Sequence, residues 1–371
     1  MRIVEVRAGL LRVPLPSAVR NGTATIAVRD YALVRVRADT GEVGVSCTLT
    51  RGGDLSSLVN RVFGPVAVER SVHEPQRVSA DMWRAAQPFL GTDGQVARAI
   101  SLLDLALWDL HARVVGLPIA AVLGAGAIES VPVMAASGYY RSNDPSAELA
   151  EISREYAELA ERGFTRVKIM AGAVDASFDA ERIAAASEAS GMSVGVDVNG
   201  AWLTTMDADQ LLRLLPEETV EFVEEPFAAG QVDVLQRFRQ SRRTPVAVGE
   251  FECDVKSLRR LMSDGLIDIV RLDATAIGGV TGWLVASALA ASYGIPVLPH
   301  YYPRYHAPLM AVAPTGLAVE VIPVSSGAEN FDLLVDSAPL VEKGRLALSD
   351  GPGFGLNWNW QAIESYTART V

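Results

Sequence analysis

Apolar positions along the chain change period twice. Over residues 2–50 they alternate with polar ones, in RIVEVRAGLLRVPL and again in DYALVRVRADTGEVGVSCT. A period of two predicts half-buried strands, and Asp39-Thr40-Gly41 marks a hairpin turn. Between the runs, residues 16–23 have no period and contain Gly22. They read equally as a plain connection or as a lid over a site in another domain. From residue 55 to 117 the period lengthens to that of helices. The clearest is GQVARAISLLDLALWDLHARVVG, where Ile100, Leu103, Leu107, Leu110 and Val114 recur at spacings of three and four, and Gly116 and Pro118 end the run. His111 lies off that stripe, at the surface or an interface. Residues 1–125 therefore form an α+β unit, strands first and helices after.

From Val131 the pattern becomes a regular strand-helix alternation. The strand candidates are VPVMAAS, RVKIM, SVGVDV, EFVEEP, PVAVGE, DIVRLD, IPVLPH and LAVEVI. Eight parallel units of this kind imply a closed barrel of the TIM type. Residues 131–322 are fewer than the roughly 250 typical of that fold, so the last helix is expected to be reduced or missing. The expected architecture is thus a (β/α)7β barrel over residues 126–325 behind an N-terminal α+β domain. VLGAGAIES carries Gly124 and Gly126, but Glu129 stands at the third glycine position of a dinucleotide fingerprint and no strand precedes it, so it reads as a linker. The tail, residues 326–371, contains DGPGFGLNWNW and is expected to pack back on the N-terminal unit.

Three of the barrel runs end in an acid: SVGVDVNG at Asp197, VEFVEEP at Glu224 and PVAVGEF at Glu250. The intervals, 27 and 26 residues, each fit one strand, one crossover helix and the next parallel strand. The acids then stand side by side at the carboxyl ends of adjacent strands. Three converging carboxylates repel one another unless a cation holds them, and hard oxygen donors in this number suit one Mg²⁺ ion. The other strands end in Lys168, Asp273, His300 and Glu320, with Asn199 two residues beyond Asp197 on the same face. So many ionisable groups exceed what a packed barrel interior needs, because burying one unpaired costs several kcal/mol. His300 and Asp273 come from neighbouring strands. A carboxylate on one imidazole nitrogen leaves the other free as a base, unless the pair is only a satisfied core histidine. Glu320, if protonated, could donate a hydrogen bond to a developing oxyanion. Lys168 could be a base, a fixed cation beside a substrate carboxylate, or part of a structural salt bridge. A metal beside a His-Asp pair suggests removal of a proton α to a carboxylate.

Composition narrows the partners. The net charge of −11 leaves no basic stripe for nucleic acid or an anionic membrane surface. Four histidines argue against a histidine-built zinc site. Cys47 and Cys253 make no disulfide framework, so a reducing cytoplasm is the default. No run approaches 18 apolar residues, and the charged N-terminus reads as a strand rather than a signal peptide.

The chain resembles the mandelate racemase subgroup of the enolase superfamily. The resemblance is carried by SLLDLALWDL, GFTRVKIMAG, DVNGAW, VEEPF, VGEF and DATAIGGVTGWLVASALAASYGIPVLPH, and covers nearly the whole chain. It implies that the N-terminal domain caps the barrel mouth with its loops and that the protein is a homo-oligomer acting on a small carboxylate. It also implies Asp197, Glu224 and Glu250 as Mg²⁺ ligands, His300–Asp273 as a base dyad, and Glu320 as hydrogen-bond donor. One residue departs. The racemase-like pattern on the second strand is Lys-x-Lys, whereas this chain reads Lys168-Ile169-Met170. Methionine carries no proton, so a two-base racemase is disfavoured and dehydration of a sugar acid or α-hydroxy acid is favoured, with His300 as base and then acid. The alternatives are a racemase or epimerase using Lys168 and His300, and a silent barrel that binds a metal and an anion. Specificity is expected from Arg20 and Asn21, from Tyr139 and Tyr140, and from Tyr301, Tyr302 and Arg304.

Overall fold

In the computed structural model, which describes residues 1–88, 90–336 and 341–369, the N-terminal alternation becomes an antiparallel meander. Its strands are β1 (Ile3–Arg20), β2 (Thr25–Ala38) and β3 (Val43–Leu49). Residues 16–23, aperiodic in sequence, are mostly strand: β1 runs through Arg20 and the chain reverses over Asn21–Ala24. The periodicity is lost because this arm pairs with another domain. Arg20 and Tyr140 exchange backbone hydrogen bonds, each of 3.0 Å. The hairpin tip lies on the barrel mouth. A Cβ at Gly22 would fall 2.3 Å from the Val198 carbonyl oxygen and 2.6 Å from that of Ala171, so only glycine fits.

Five α-helices follow among the described residues, with a π-helical segment at Val59–Phe63 between the first two: α1 (Leu55–Leu58), α2 (Gly64–Ala67), α3 (Pro75–Ala86), α4 (Gly94–Val115) and α5 (Ile119–Val122). Gly116 ends α4 in the left-handed region, at φ 71°. The stripe Ile100, Leu103, Leu107 and Leu110 packs on the meander. A second stripe, Leu105, Trp108 and Ala112, joins the core shared with the barrel. A helix buried on two faces shows a blurred period, which is why only one stripe is evident in the sequence.

The barrel alternates β4 (Ser130–Ser137), α6 (Pro145–Glu161), β5 (Val167–Met170), α7 (Ala176–Ser190), β6 (Val194–Asp197), α8 (Thr205–Leu212), β7 (Val220–Glu224), α9 (Val232–Ser241), β8 (Val246–Val248), α10 (Val255–Ser263), β9 (Ile269–Val270), α11 (Gly279–Ser292), α12 (Pro303–Met310) and β10 (Val319–Val321). β4 to β9 pair in parallel and in order. Val270 then bridges Val297, Val297 bridges Gly316, and β10 pairs in parallel with β4, which closes the ring. The seventh strand is reduced to the bridge at Val297 because Pro296 and Pro299 flank it without N–H groups. After β10, two short 3₁₀ turns, Val324–Ser326 and Phe331–Leu334, stand among the described residues where an eighth helix would be.

The barrel interior is layered. Met134, Phe222, Ala247, Ile269, Leu298 and Ala318 form an apolar plug, and Gly195 makes room for the Phe222 ring. The charged residues stand on the same strands, nearer the carboxyl ends. The tail serves both domains. β11 (Val341–Glu342) and β12 (Arg345–Ala347) extend the barrel sheet beside β4, whereas β13 (Thr367–Arg369), after α13 (Trp360–Tyr366), pairs with β1. Other parts of the tail also contact the N-terminal unit: Asn330 Nδ2 donates to Val13 O at 3.0 Å, Tyr31 Oη donates to Asn330 Oδ1 at 2.7 Å, and Ile119 N donates to Gly353 O at 2.8 Å; residues 337–340 and 370–371 lie outside the described residues. No helix among the described residues is long and apolar enough to cross a membrane.

The polar residues of SLLDLALWDL dock the domains. Asp104 accepts from Thr281 N at 3.1 Å and Thr281 Oγ1 at 2.6 Å, Ser101 Oγ accepts from Gly278 N at 2.8 Å, and Trp108 Nε1 donates to Thr281 Oγ1 at 3.0 Å. Asp109 accepts from Val45 N and Phe354 N, each at 2.9 Å. Gly279 has φ 73°, and a Cβ there would lie 2.1 Å from Asp104 Oδ1. Gly279→Ala is therefore expected to destabilise by about 2–3 kcal/mol, combining backbone strain and overpacking, as measured by denaturant unfolding.

Candidate active site

Parallel register places the ionisable residues in one layer. Lys168 on β5 sits opposite Gly195, Met170 opposite Asp197, and Asp197 on β6 opposite Glu224 on β7. Glu250 follows β8. Donor atoms of Asp197, Glu224 and Glu250 all lie within 4.8 Å of one another, and the three are buried. Burial, with repulsion from its neighbours, pushes Asp197 up to about 6 and Glu250 well above the usual carboxylate range. Glu224 Oε2 and Glu250 Oε2 are buried without a hydrogen-bond partner. Buried carboxylate oxygens without partners, on acids whose donor atoms lie this close, are what a hard divalent cation would satisfy, so the donor set fits such an ion.

Lys168 is 1% exposed and lies 3.0 Å from Asp197 Oδ2, 2.8 Å from Glu224 Oε1 and 2.8 Å from Glu320 Oε2. Burial alone would lower its pKa, but the three carboxylates outweigh that and hold it well above the ordinary lysine value. The arrangement matches a structural salt bridge and a fixed cation alike. Met170 is buried and, by strand alternation, faces the same way two residues on.

Glu320 departs from the reading of a protonated donor. It is paired with Lys168 and with Arg271, whose other ion pair is to Glu224 at 3.0 Å. These cations outweigh the cost of burial and keep Glu320 well below the usual carboxylate range, so it accepts hydrogen bonds rather than donating them. It also accepts from Tyr301 N at 3.1 Å. Arg271 was missed in the sequence, although it stands two residues before Asp273 on the same strand face.

His300 Nδ1 lies 3.1 Å from Asp273 Oδ2. Asp273 Oδ1 accepts from Thr275 N and Oγ1, at 2.8 and 2.7 Å, which fixes the carboxylate behind the ring. Burial lowers the His300 pKa despite Asp273, so the ring is neutral, with Nδ1–H donated to Asp273 and a lone pair on Nε2. Nε2 faces Arg51 Nη2 at 3.5 Å and Glu250 Oε2 at 3.4 Å. Arg51 reaches in from the loop after β3, and no signal in its sequence context marks it. Behind this pair, His306 accepts from Ala274 N at 3.0 Å and donates to Tyr301 O at 2.5 Å, steadying the left-handed turn at Tyr301 and Tyr302.

The remaining candidates line the mouth. Asn199, at φ 50°, donates its backbone N–H to Asp197 Oδ1 at 2.9 Å and leaves its buried Oδ1 without a partner. Tyr139 is buried after β4. The Arg20 guanidinium packs over the Tyr140 ring, 5.6 Å from its centroid. Arg182 holds this rim in place, donating to Gly138 O at 2.5 Å and Met170 O at 2.8 Å. The site therefore brings together a histidine-carboxylate pair, a buried ammonium and one candidate cation site.

Comparison with known proteins follows the same outline. The family model for the N-terminal domain of mandelate racemase and muconate lactonizing enzyme matches residues 4–124, and that for the enolase C-terminal domain-like unit matches residues 151–362. Muconate cycloisomerase 1 of Rhodococcus opacus is 27% identical over 99% of this chain and 99% of its own. L-talarate/galactarate dehydratase of Salmonella typhimurium is 28% identical over 76% of this chain and 68% of its own. An enolase from Bradyrhizobium, solved with magnesium and mandelic acid, superposes with a TM-score of 0.87 at 24% identity, over 99% of both chains.

Proposed function

The chain belongs to the mandelate racemase/muconate lactonizing enzyme family of the enolase superfamily, and we propose that it dehydrates a sugar acid or related α-hydroxy acid with a β-hydroxyl, giving a 2-keto-3-deoxy acid. The observation that carries this reading is the asymmetry of the mouth: one neutral imidazole braced by a carboxylate, against a lysine locked between three carboxylates and a methionine. Asp197, Glu224 and Glu250 would hold one Mg²⁺ ion, as the orphaned oxygens and the magnesium-bound relative support. Bound there, the ion would supply positive charge beside the substrate carboxylate as the α-carbon loses its proton.

The protein's own part follows from geometry. His300 Nε2 takes the α-proton, and Asp273 stabilises the imidazolium that results. Lys168, held as an ammonium, stabilises the carboxylate as charge moves onto it. The electron pair of the broken C–H bond then expels the β-hydroxyl, which leaves as water with the proton that His300 returns. The enol so formed becomes the keto acid. One base thus serves both half-steps.

An isomerase reading is favoured by the near full-length match to a cycloisomerase. Racemisation would need a second base, and Met170, two residues beyond Lys168 on the same strand face, carries no proton. Incubating the protein and Mg²⁺ with a panel of sugar acids is expected to release 2-keto-3-deoxy acid from at least one of them. Silence across the panel, with Mg²⁺ still bound, would favour a non-catalytic metal- and anion-binding barrel.

A further inference from the structure

The His300–Asp273 pair stands on sparsely laddered backbone. Asp273 lies beyond β9, a strand of two residues, and His300 lies beyond a seventh strand reduced to Val297. After His300 the chain passes through two left-handed residues in succession, Tyr301 at φ 52° and Tyr302 at φ 44°. Neither is glycine. Their Cβ atoms crowd the backbone there, so such a turn persists only where its surroundings fix it.

One ring reaches both segments. His306, on α12, accepts from Ala274 N at 3.0 Å through Nε2 and donates through Nδ1 to Tyr301 O at 2.5 Å. Ala274 is the residue after Asp273, and Tyr301 is the residue after His300. The ring is fully buried, and Trp283 of α11 stacks on it with 5.1 Å between centroids and 27° between planes. The two bonds fix the tautomer, with the proton on Nδ1 and the lone pair on Nε2. Asp273 Oδ1 lies 3.9 Å from that Nε2, too far for a hydrogen bond, so His306 does not compete with His300 for the carboxylate. Burial lowers its pKa to about 4, which keeps the ring neutral near pH 7. The other supports of this segment act at different atoms. Arg271 Nη1 donates to Leu298 O and Pro299 O, before His300, and Glu320 holds Tyr301 N.

We propose that His306 is a positioning residue. It ties the segment after Asp273 to the segment after His300, and so holds imidazole and carboxylate at their 3.1 Å hydrogen bond. This rests on His300 as the base. The bonds of His306 go to backbone beside the pair and not to the acidic trio, so Mg²⁺ affinity should stay parental in its variants.

The whole protein in MgCl₂ offers two readouts. The first is steady-state kinetics on a sugar acid that the parent dehydrates. His306→Leu is expected to lower kcat about 10- to 100-fold, as loss of an orienting partner does, with KM within about twofold of the parent. His306→Asn keeps a donor toward Tyr301 O and His306→Gln keeps an acceptor toward Ala274 N, so each is expected to recover part of the loss. A merely structural role would lower the melting temperature and leave kcat of the folded variants parental. The second readout is the low-field proton NMR signal of the Nδ1–H that His300 shares with Asp273, identified by its absence from His300→Asn. It needs no turnover, and in His306→Leu it is expected to be lost to solvent exchange. If no sugar acid turns over, dehydration fails and this signal decides by itself: its loss supports the positioning role, and its persistence overturns it. Parental kcat in His306→Leu would also overturn it, as would parental kcat in both His306→Asn and His306→Gln should the leucine variant not fold.

Discussion

His300→Asn is expected to lower kcat by about 10⁴-fold, the upper end for a positioned acid-base group, because the same imidazole serves as base and then as acid. KM should change little. The ring's Nδ1 contacts Asp273, and the substrate carboxylate is assigned to the opposite wall with Lys168 and the acidic trio. Asparagine can still donate to Asp273, so the fold around the site is kept while the Nε2 lone pair is lost. Steady-state kinetics on the parent's substrate would check the fall. A His300→Asn variant with near-parental kcat would remove His300 from the chemistry.

Glu250→Gln has the second large effect, with a sign that depends on the metal. In Mg²⁺, losing one of three carboxylates is expected to weaken metal binding and to lower turnover by about 10³-fold, since the ion's charge is worth several kcal/mol at the transition state. In chelator the order of stability reverses. Burial and the neighbouring acids raise the Glu250 pKa in the folded protein, so folding binds its proton more tightly than the unfolded chain does. That contribution is stabilising at low pH and is lost as pH rises from the ordinary glutamate value through the raised one. Glutamine removes the charge that causes the loss. At neutral pH without metal, Glu250→Gln should therefore melt above the parent, and in Mg²⁺ below it. Thermal melts in both buffers, beside Mg²⁺ titrations, would read this; parental order in both buffers would deny the trio its metal role.

Much of this site was legible in the sequence because a parallel barrel turns spacing into position. Acids one β-α-β unit apart must end adjacent strands, and Asp197, Glu224 and Glu250 do. His300 and Asp273 were found by the same rule. What escaped came from elements whose pairing is long-range. The arm at residues 16–20 is strand because it bonds to Tyr140, 120 residues away in the chain. Glu320 reads as a free acid until Arg271 and Lys168 are seen on it. Arg271 itself could have been picked out by its offset of two from Asp273. The seventh strand was named correctly in place but not in extent, since two prolines cut it to the single residue Val297, which bridges Val270 on one side and Gly316 on the other.

Removal of the α-proton by a single base, followed by loss of water, leaves an isotopic record. Proton NMR of a turning-over α-hydroxy acid in D₂O, with Mg²⁺, tests it most directly. The predicted result is a 2-keto-3-deoxy acid deuterated at C3, with recovered substrate keeping its configuration at the α-carbon. Recovered acid carrying deuterium and the inverted α-configuration, with no keto acid formed, would contradict it and place a second base at Lys168.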